Sequence, residues 1–122
     1  MVNNRFRFRV WDKILKSYLK PVNFVDLERA SKDKDVVIEQ CTGLKDKNGR
    51  LIYEGDIVKR HSKYSEDEKD VVLQVEWNRK GARYITTDKK HDNWIFSMFD
   101  YEYEILGNIH ENPELLEGKL CL

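Results

Sequence analysis

The sequence predicts a mainly β protein folded as a small barrel or rolled sheet. Three observations point there. Short runs of aromatic and β-branched residues alternate with polar ones at a period of two, and Gly, Asn and Asp break those runs at close spacing. Almost no stretch carries apolar residues at helical period. At 122 residues the chain is the size of one domain, with room for one core. Apolar residues make up 40%, including three Trp, six Tyr and five Phe, so folding can bury enough area to offset the entropy of ordering the chain.

Taken in order, Arg5 to Trp11 alternates strictly, which predicts a strand with Phe6, Phe8 and Val10 turned inward and Arg5, Arg7, Arg9 and Trp11 outward. Asp12 and Lys13 interrupt the pattern. The run Ile14 to Leu19 fits either a second hairpin strand or a short helix, and the hairpin is favoured. Pro21 closes it, Asn23 is placed to cap a short helix through Arg29, and the charged stretch Ser31 to Asp35 reads as a loop.

Val36 to Cys41 is a β-branched run that Gly43 should break. Asn48-Gly49 supplies the positive φ angles of a tight turn, and Glu54-Gly55-Asp56 marks a second turn. Leu51 to Tyr53 and Ile57 to Lys59 are strands. His61 to Asp70 is nearly devoid of apolar residues and reads as a mobile loop. Val71, Leu73, Val75 and Trp77 share a strand face, the turn glycine is Gly81, and Arg83 to Thr87 returns as the hairpin partner. After the aromatic run Trp94 to Phe99, Tyr101, Tyr103 and Ile105 alternate with acids in a strand directed toward Ile109. Pro113 opens a short helical turn within Glu111 to Leu116. The chain therefore reads as one domain over 1–122: an N-terminal β-hairpin extension at 1–20, a barrel core at 36–110 and a C-terminal tail at 111–122.

Charge and composition narrow the function classes. The 22 Lys and Arg balance 22 Asp and Glu, so the whole chain has no bias toward polyanions. No apolar run is long enough to span a bilayer, and the opening residues lack the apolar segment of a signal peptide; a cytoplasmic location and no membrane partner are expected. Cys41 and Cys121 are isolated, which suits reduced thiols rather than a disulfide or metal site. His61, His91 and His110 show no zinc-like spacing, and Ser17, Ser31, Ser62, Ser65 and Ser97 sit in no nucleophile motif. Phosphate-binding glycine loops are absent. No catalytic constellation, metal or cofactor is expected.

The stretch Thr42-Gly43-Leu44-Lys45-Asp46-Lys47-Asn48-Gly49, continued by Ile52-Tyr53-Glu54-Gly55-Asp56-Ile57-Val58, resembles the signature of the YopX family of bacteriophage and prophage proteins. Phe6 to Asp12, Val36 to Cys41 and Ile105-Leu106-Gly107-Asn108-Ile109-His110-Glu111-Asn112-Pro113-Glu114-Leu115-Leu116 resemble further parts of it, in order. The resemblance implies an SH3-like barrel core encoded by a phage or prophage, in a family of unknown function.

Two functional expectations follow. The first is a non-enzymatic protein-interaction module that binds a host or phage protein and forms a homo-oligomer, since the aromatic content exceeds what one small barrel hides. The alternative is a nucleic-acid-binding module. Its contacts would be Arg5, Arg7, Arg9 and Trp11 on the first strand, where the first twenty residues hold six Lys or Arg against one Asp, helped by Lys80 and Arg83 within a second basic cluster of Arg79, Lys80, Arg83, Lys89 and Lys90. Gly43, Asn48, Gly49, Gly55 and Asp56 are read as turn architecture rather than contacts.

Overall fold

The fold is mainly β. A computed structural model describes residues 6–19, 24–89 and 94–117. The elements run β1 (Phe8–Asp12), β2 (Ser17–Tyr18), α1 (Phe24–Ser31), β3 (Val36–Lys45), β4 (Leu51–Tyr53), β5 (Asp56–Ser62), β6 (Val71–Asn78), β7 (Arg83–Thr87), β8 (Trp94–Ile95) and β9 (Tyr101–Asn108), closed by a 3-10 helix at Pro113–Glu117. They form a four-stranded sheet, β2-β1-β3-β4, and a five-stranded sheet, β8-β7-β6-β5-β9. Every pairing is antiparallel.

The two sheets meet at the turn between β4 and β5. Gly55 donates its N–H to the Val75 carbonyl, 2.9 Å, and its own carbonyl accepts from Ile109 N–H, 2.9 Å. Gly55 sits at φ +89°, and a Cβ there would collide with the Glu39 carboxylate, so only glycine fits. The core beneath is Ile52, Val58, Leu73, Val75 and Tyr103, all at 0% exposure. Tyr103 keeps its hydroxyl satisfied by accepting from Ser97 N–H, 3.2 Å.

The N-terminal hairpin forms as expected, with Trp11 opposite Tyr18. Asp12 builds its turn, the Oδ1 atom accepting from Ile14 and Leu15 N–H, and Lys16 takes the left-handed position at φ 54°. β1 pairs residue for residue with β3, from Phe8 opposite Gln40 to Asp12 opposite Val36, which joins the hairpin to the four-stranded sheet. Helix α1 lies where the sequence placed it, while its expected cap Asn23 lies outside the described residues.

Gly43 does not break the strand. At φ +86° it bends β3 through a bulge between Cys41 and Lys45, and Thr42 holds the bend by donating its hydroxyl to the Ile52 carbonyl, 2.8 Å, while accepting from Leu44 N–H. In the next turn Gly49 alone takes a positive φ, +81°; Asn48 does not. Asp46 organises that turn. Its Oδ1 accepts from Asn48 and Arg50 N–H, both 2.9 Å, and its Oδ2 accepts from Ile105 N–H of β9, 3.0 Å. These three bonds outweigh the cost of burial and pull the Asp46 carboxyl below its ordinary pKa.

The β6–β7 hairpin has the expected partners, from Gln74 opposite Thr87 to Asn78 opposite Arg83. Gly81 lies in its turn, donating its N–H to Asn78 Oδ1, and Ala82 takes the left-handed position at φ 49°. The segment after β5 is fastened at both ends: His61 Nδ1 pairs with Asp70 Oδ1 at 2.6 Å, and Lys63 donates its N–H to the Asp100 carbonyl and its Nζ to the Met98 carbonyl.

Candidate functional site

Among the described residues, the expected basic stripe is exposed at Arg7 but not at Arg9 or Trp11. Arg5 lies outside the described residues, and Arg7 is exposed. Arg9 is turned into the structure, with its side chain only 20% exposed. Trp11, expected outward as a stacking surface, is 6% exposed, while Phe6, expected inward, is 70% exposed. The physical reason is that both faces of β1 are covered at its C-terminal end, so period-two alternation no longer separates inside from outside.

What covers the polar face is a buried cluster centred on Arg9 and Glu39. Arg9 Nε donates to Glu39 Oε1 at 2.8 Å, and its terminal nitrogen Nη2 pairs with Asp56 Oδ1 at 2.8 Å and donates to the Glu54 carbonyl. The guanidinium lies between two rings, Tyr18 at 4.5 Å and Tyr53 at 4.8 Å. Tyr18 donates its hydroxyl to Glu39 Oε1, and His110 Nε2 bonds Glu39 Oε2 at 3.0 Å. His110 stacks on Trp11, and Tyr18 meets Trp11 edge-on.

Local chemistry places each member. Asp56 caps its own turn by accepting from Tyr53 N–H, 2.8 Å. His110 is set by an Asx turn in which Asn108 Oδ1 accepts from the His110 and Glu111 N–H groups. A Cβ at Gly107 would collide with Asn112, whose backbone N–H is bonded to the Asn108 carbonyl. Glu39 reaches the cluster because it occupies a buried position of β3, at 3% exposure.

Electrostatics decide what this cluster can do. Burial works against the Arg9 charge, but Asp56 and Glu39 outweigh it and Arg9 is held more basic than usual. Burial pushes the Asp56 carboxyl up, and Arg9 opposes that shift. Burial also drives the Tyr18 hydroxyl far above its ordinary range. Both carboxylate oxygens of Glu39 are engaged by protein donors, so the cluster fastens β1, β2, β3, the β4–β5 turn and the C-terminal segment to one another. Cys41 is 0% exposed and burial pushes its thiol up, which leaves it little thiolate character.

The sequence reading missed Glu39 and His110. A signal for Glu39 was present, since an acid inside the β-branched run Val36 to Cys41 needs a buried partner. Nothing local announced that His110 would be that partner across the fold.

Two surface regions remain. Tyr64 and Phe99 are 71% and 77% exposed with ring centroids 6.2 Å apart, and the acids Glu66, Asp67 and Glu68 that follow Tyr64 in the chain are exposed. On the β6–β7 hairpin, Trp77 is 42% exposed, and Arg79, Lys80 and Arg83 are exposed. Lys89 of that cluster is paired with Glu76 at 2.7 Å, and Lys90 lies outside the described residues. No group of three or more potential metal ligands occurs among the described residues, and none of their helices is long and apolar enough to cross a membrane.

Fold and cluster together define a small, rolled, mainly β domain whose N-terminal strand and C-terminal segment are locked by a buried Arg-Glu-Asp-His network. The chain belongs to the YopX protein family, which matches residues 7–117. It is similar to the solved structure of protein EF1440 from Enterococcus faecalis, at 26% identity and TM-score 0.61, over 90% of this chain and 96% of that one. It shares its fold with protein yopX from Bacillus subtilis, at 19% identity and TM-score 0.58, over 91% of this chain and 98% of that one. No curated protein sequence matches it.

Proposed function

We propose that this chain is a phage- or prophage-encoded, non-enzymatic protein-interaction module acting in the cytoplasm of a bacterial host. The observation that carries this reading is the Tyr64–Phe99 pair. Two large rings stand exposed and in contact on a scaffold that is already fastened, since Lys63 bridges to Met98 and Asp100. Aromatic side chains held in place before binding give up little entropy on contact, which is what an interface anchor requires. The exposed Glu66 and Asp67, which follow Tyr64 closely in the chain, fit a partner surface that is apolar at its centre and basic at its rim.

The test compares the wild-type chain with a Tyr64→Ser/Phe99→Ser variant, measuring solution mass across concentration and quantifying proteins captured from host extract. Association with a second copy or with a host or phage protein that the double variant loses supports the proposal. Association indifferent to both substitutions, or none at all, overturns it.

A further inference from the structure

We infer that the Tyr64–Phe99 pair receives a proline-rich segment in the polyproline II conformation, with a cationic residue at its end directed to Glu66 and Asp67. This rests on the interaction reading above and names the chemistry of the partner. The two rings come from separate loops, and a serine sets each loop. Ser62 Oγ accepts from the Tyr64 and Ser65 N–H groups. Phe99 lies in a turn where Ser97 Oγ donates to Asp100 Oδ2 at 2.8 Å and the Ser97 carbonyl accepts from Tyr101 N–H. Lys63 then ties the loops together by bonding the carbonyls on either side of Phe99: its Nζ donates to Met98 at 2.6 Å and its N–H to Asp100 at 3.0 Å. The loops cannot part without breaking these bonds, so the notch between the rings exists before any partner arrives.

The notch suits proline. Most of each ring is open, the centroids are 6.2 Å apart and the planes are tilted by 43°. A polyproline II helix rises about 3.1 Å per residue, so prolines separated by one residue stand about 6 Å apart along its axis, the spacing of the rings. Such a segment is already extended and its prolines carry no N–H, so it loses little entropy on docking and leaves no proline donor unpaired against the rings. Both rings lie outside the strands, since β5 ends at Ser62 and β9 begins at Tyr101, so the contact on offer is side chain rather than sheet edge. Charge sets the other half of the partner. Between Tyr64 and Asp70 inclusive the chain carries four acids and one lysine. Glu68 is turned back toward Arg60, at 3.9 Å, whose guanidinium lies over Tyr101. Glu66 and Asp67 are exposed and pair with no cation among the described residues, which leaves them for an arginine or lysine that flanks the prolines.

The experiment is fluorescence anisotropy of a labelled peptide of two arginines followed by a run of prolines, titrated with the full chain at low and at moderate salt. Two control peptides of equal length replace the arginines by glutamates, or the prolines by alternating glycine and serine. The wild type is expected to bind the first peptide about tenfold more tightly than either control. Tyr64→Ser/Phe99→Ser should weaken binding at least about tenfold at both salts. Glu66→Gln/Asp67→Asn should weaken it about threefold at low salt and hardly at all at moderate salt, where the charges are screened. Ile14→Ser, at an exposed side chain of the β1–β2 turn, should have no effect, and thermal melts check that all variants fold. Absence of binding to the first peptide overturns the proposal, as does equal binding of the glycine–serine peptide or binding indifferent to the ring substitutions. Host proteins captured through Tyr64 and Phe99 without any peptide binding overturn the proline assignment and leave the interaction reading in place, whereas neither capture nor peptide binding overturns both. Self-association that the ring substitutions abolish and the peptide does not compete with would make the rings a contact between copies, and would also overturn the proposal.

Discussion

Trp11 and His110 lie face to face, with ring centroids 4.7 Å apart and planes 7° from parallel. This stack, with the bond from His110 to Glu39, pins the C-terminal segment over the first strand. His110→Ala removes the cover from the indole and one partner from a buried carboxylate. Stability is expected to fall by about 1–3 kcal/mol, and intrinsic tryptophan emission to shift to the red. Emission unchanged in a folded variant would contradict the stacking role.

Gly55 and Gly49 share a left-handed backbone but differ in surroundings. A Cβ at Gly49 has nothing within 4 Å, whereas one at Gly55 meets the Glu39 carboxylate. Gly49→Ala should therefore cost only the backbone strain, about 1–2 kcal/mol, and Gly55→Ala clearly more. Urea midpoints measured side by side decide it, and equal losses would show that the contact with Glu39 is unimportant.

Arg9→Leu leaves Glu39 and Asp56 buried without their cation, a change expected to cost about 3–5 kcal/mol near neutral pH. Because burial already raises the folded-state pKa of Asp56 above its unfolded value, the penalty for its charge is present above that folded pKa. The penalty is relieved as pH falls through the folded pKa toward the unfolded value. Denaturant melts of the variant and wild type should thus converge as pH is lowered from neutral through the raised folded-state pKa of Asp56. A gap that widens on acidification would refute the assignment.

Asp46 has the opposite sign. Its folded-state pKa is depressed by three backbone N–H bonds, so its stabilisation is present above the unfolded value and is lost as pH falls through the folded one. Asp46→Asn turns an amide NH2 toward a backbone N–H and should lower stability by about 1–3 kcal/mol at neutral pH. That difference should fade in acid, and a constant difference down to strongly acid pH would rule out the carboxylate as its source.

Much of the fold was legible. The β6–β7 hairpin declared itself through Val71, Leu73 and Val75, whose alternation is a local property of the pleat. The turns at Gly49 and Gly55 were equally readable, because a positive φ is a constraint within one residue. Gly81 lies in the turn as read, while the left-handed angle falls on its neighbour Ala82. The candidate site was less legible: β1 was correctly read as a strand, yet Arg9 and Trp11 were assigned to solvent.

The sequence by itself determined the class of fold, the places where the chain turns and the family to which it belongs, all of which depend on neighbours within a few residues. Only the tertiary structure decided which face of β1 meets water. Glu39, Asp56 and His110 arrive there from distant segments, and their bonds to Arg9, Trp11 and Tyr18 outweigh the solvation those side chains would have had outside.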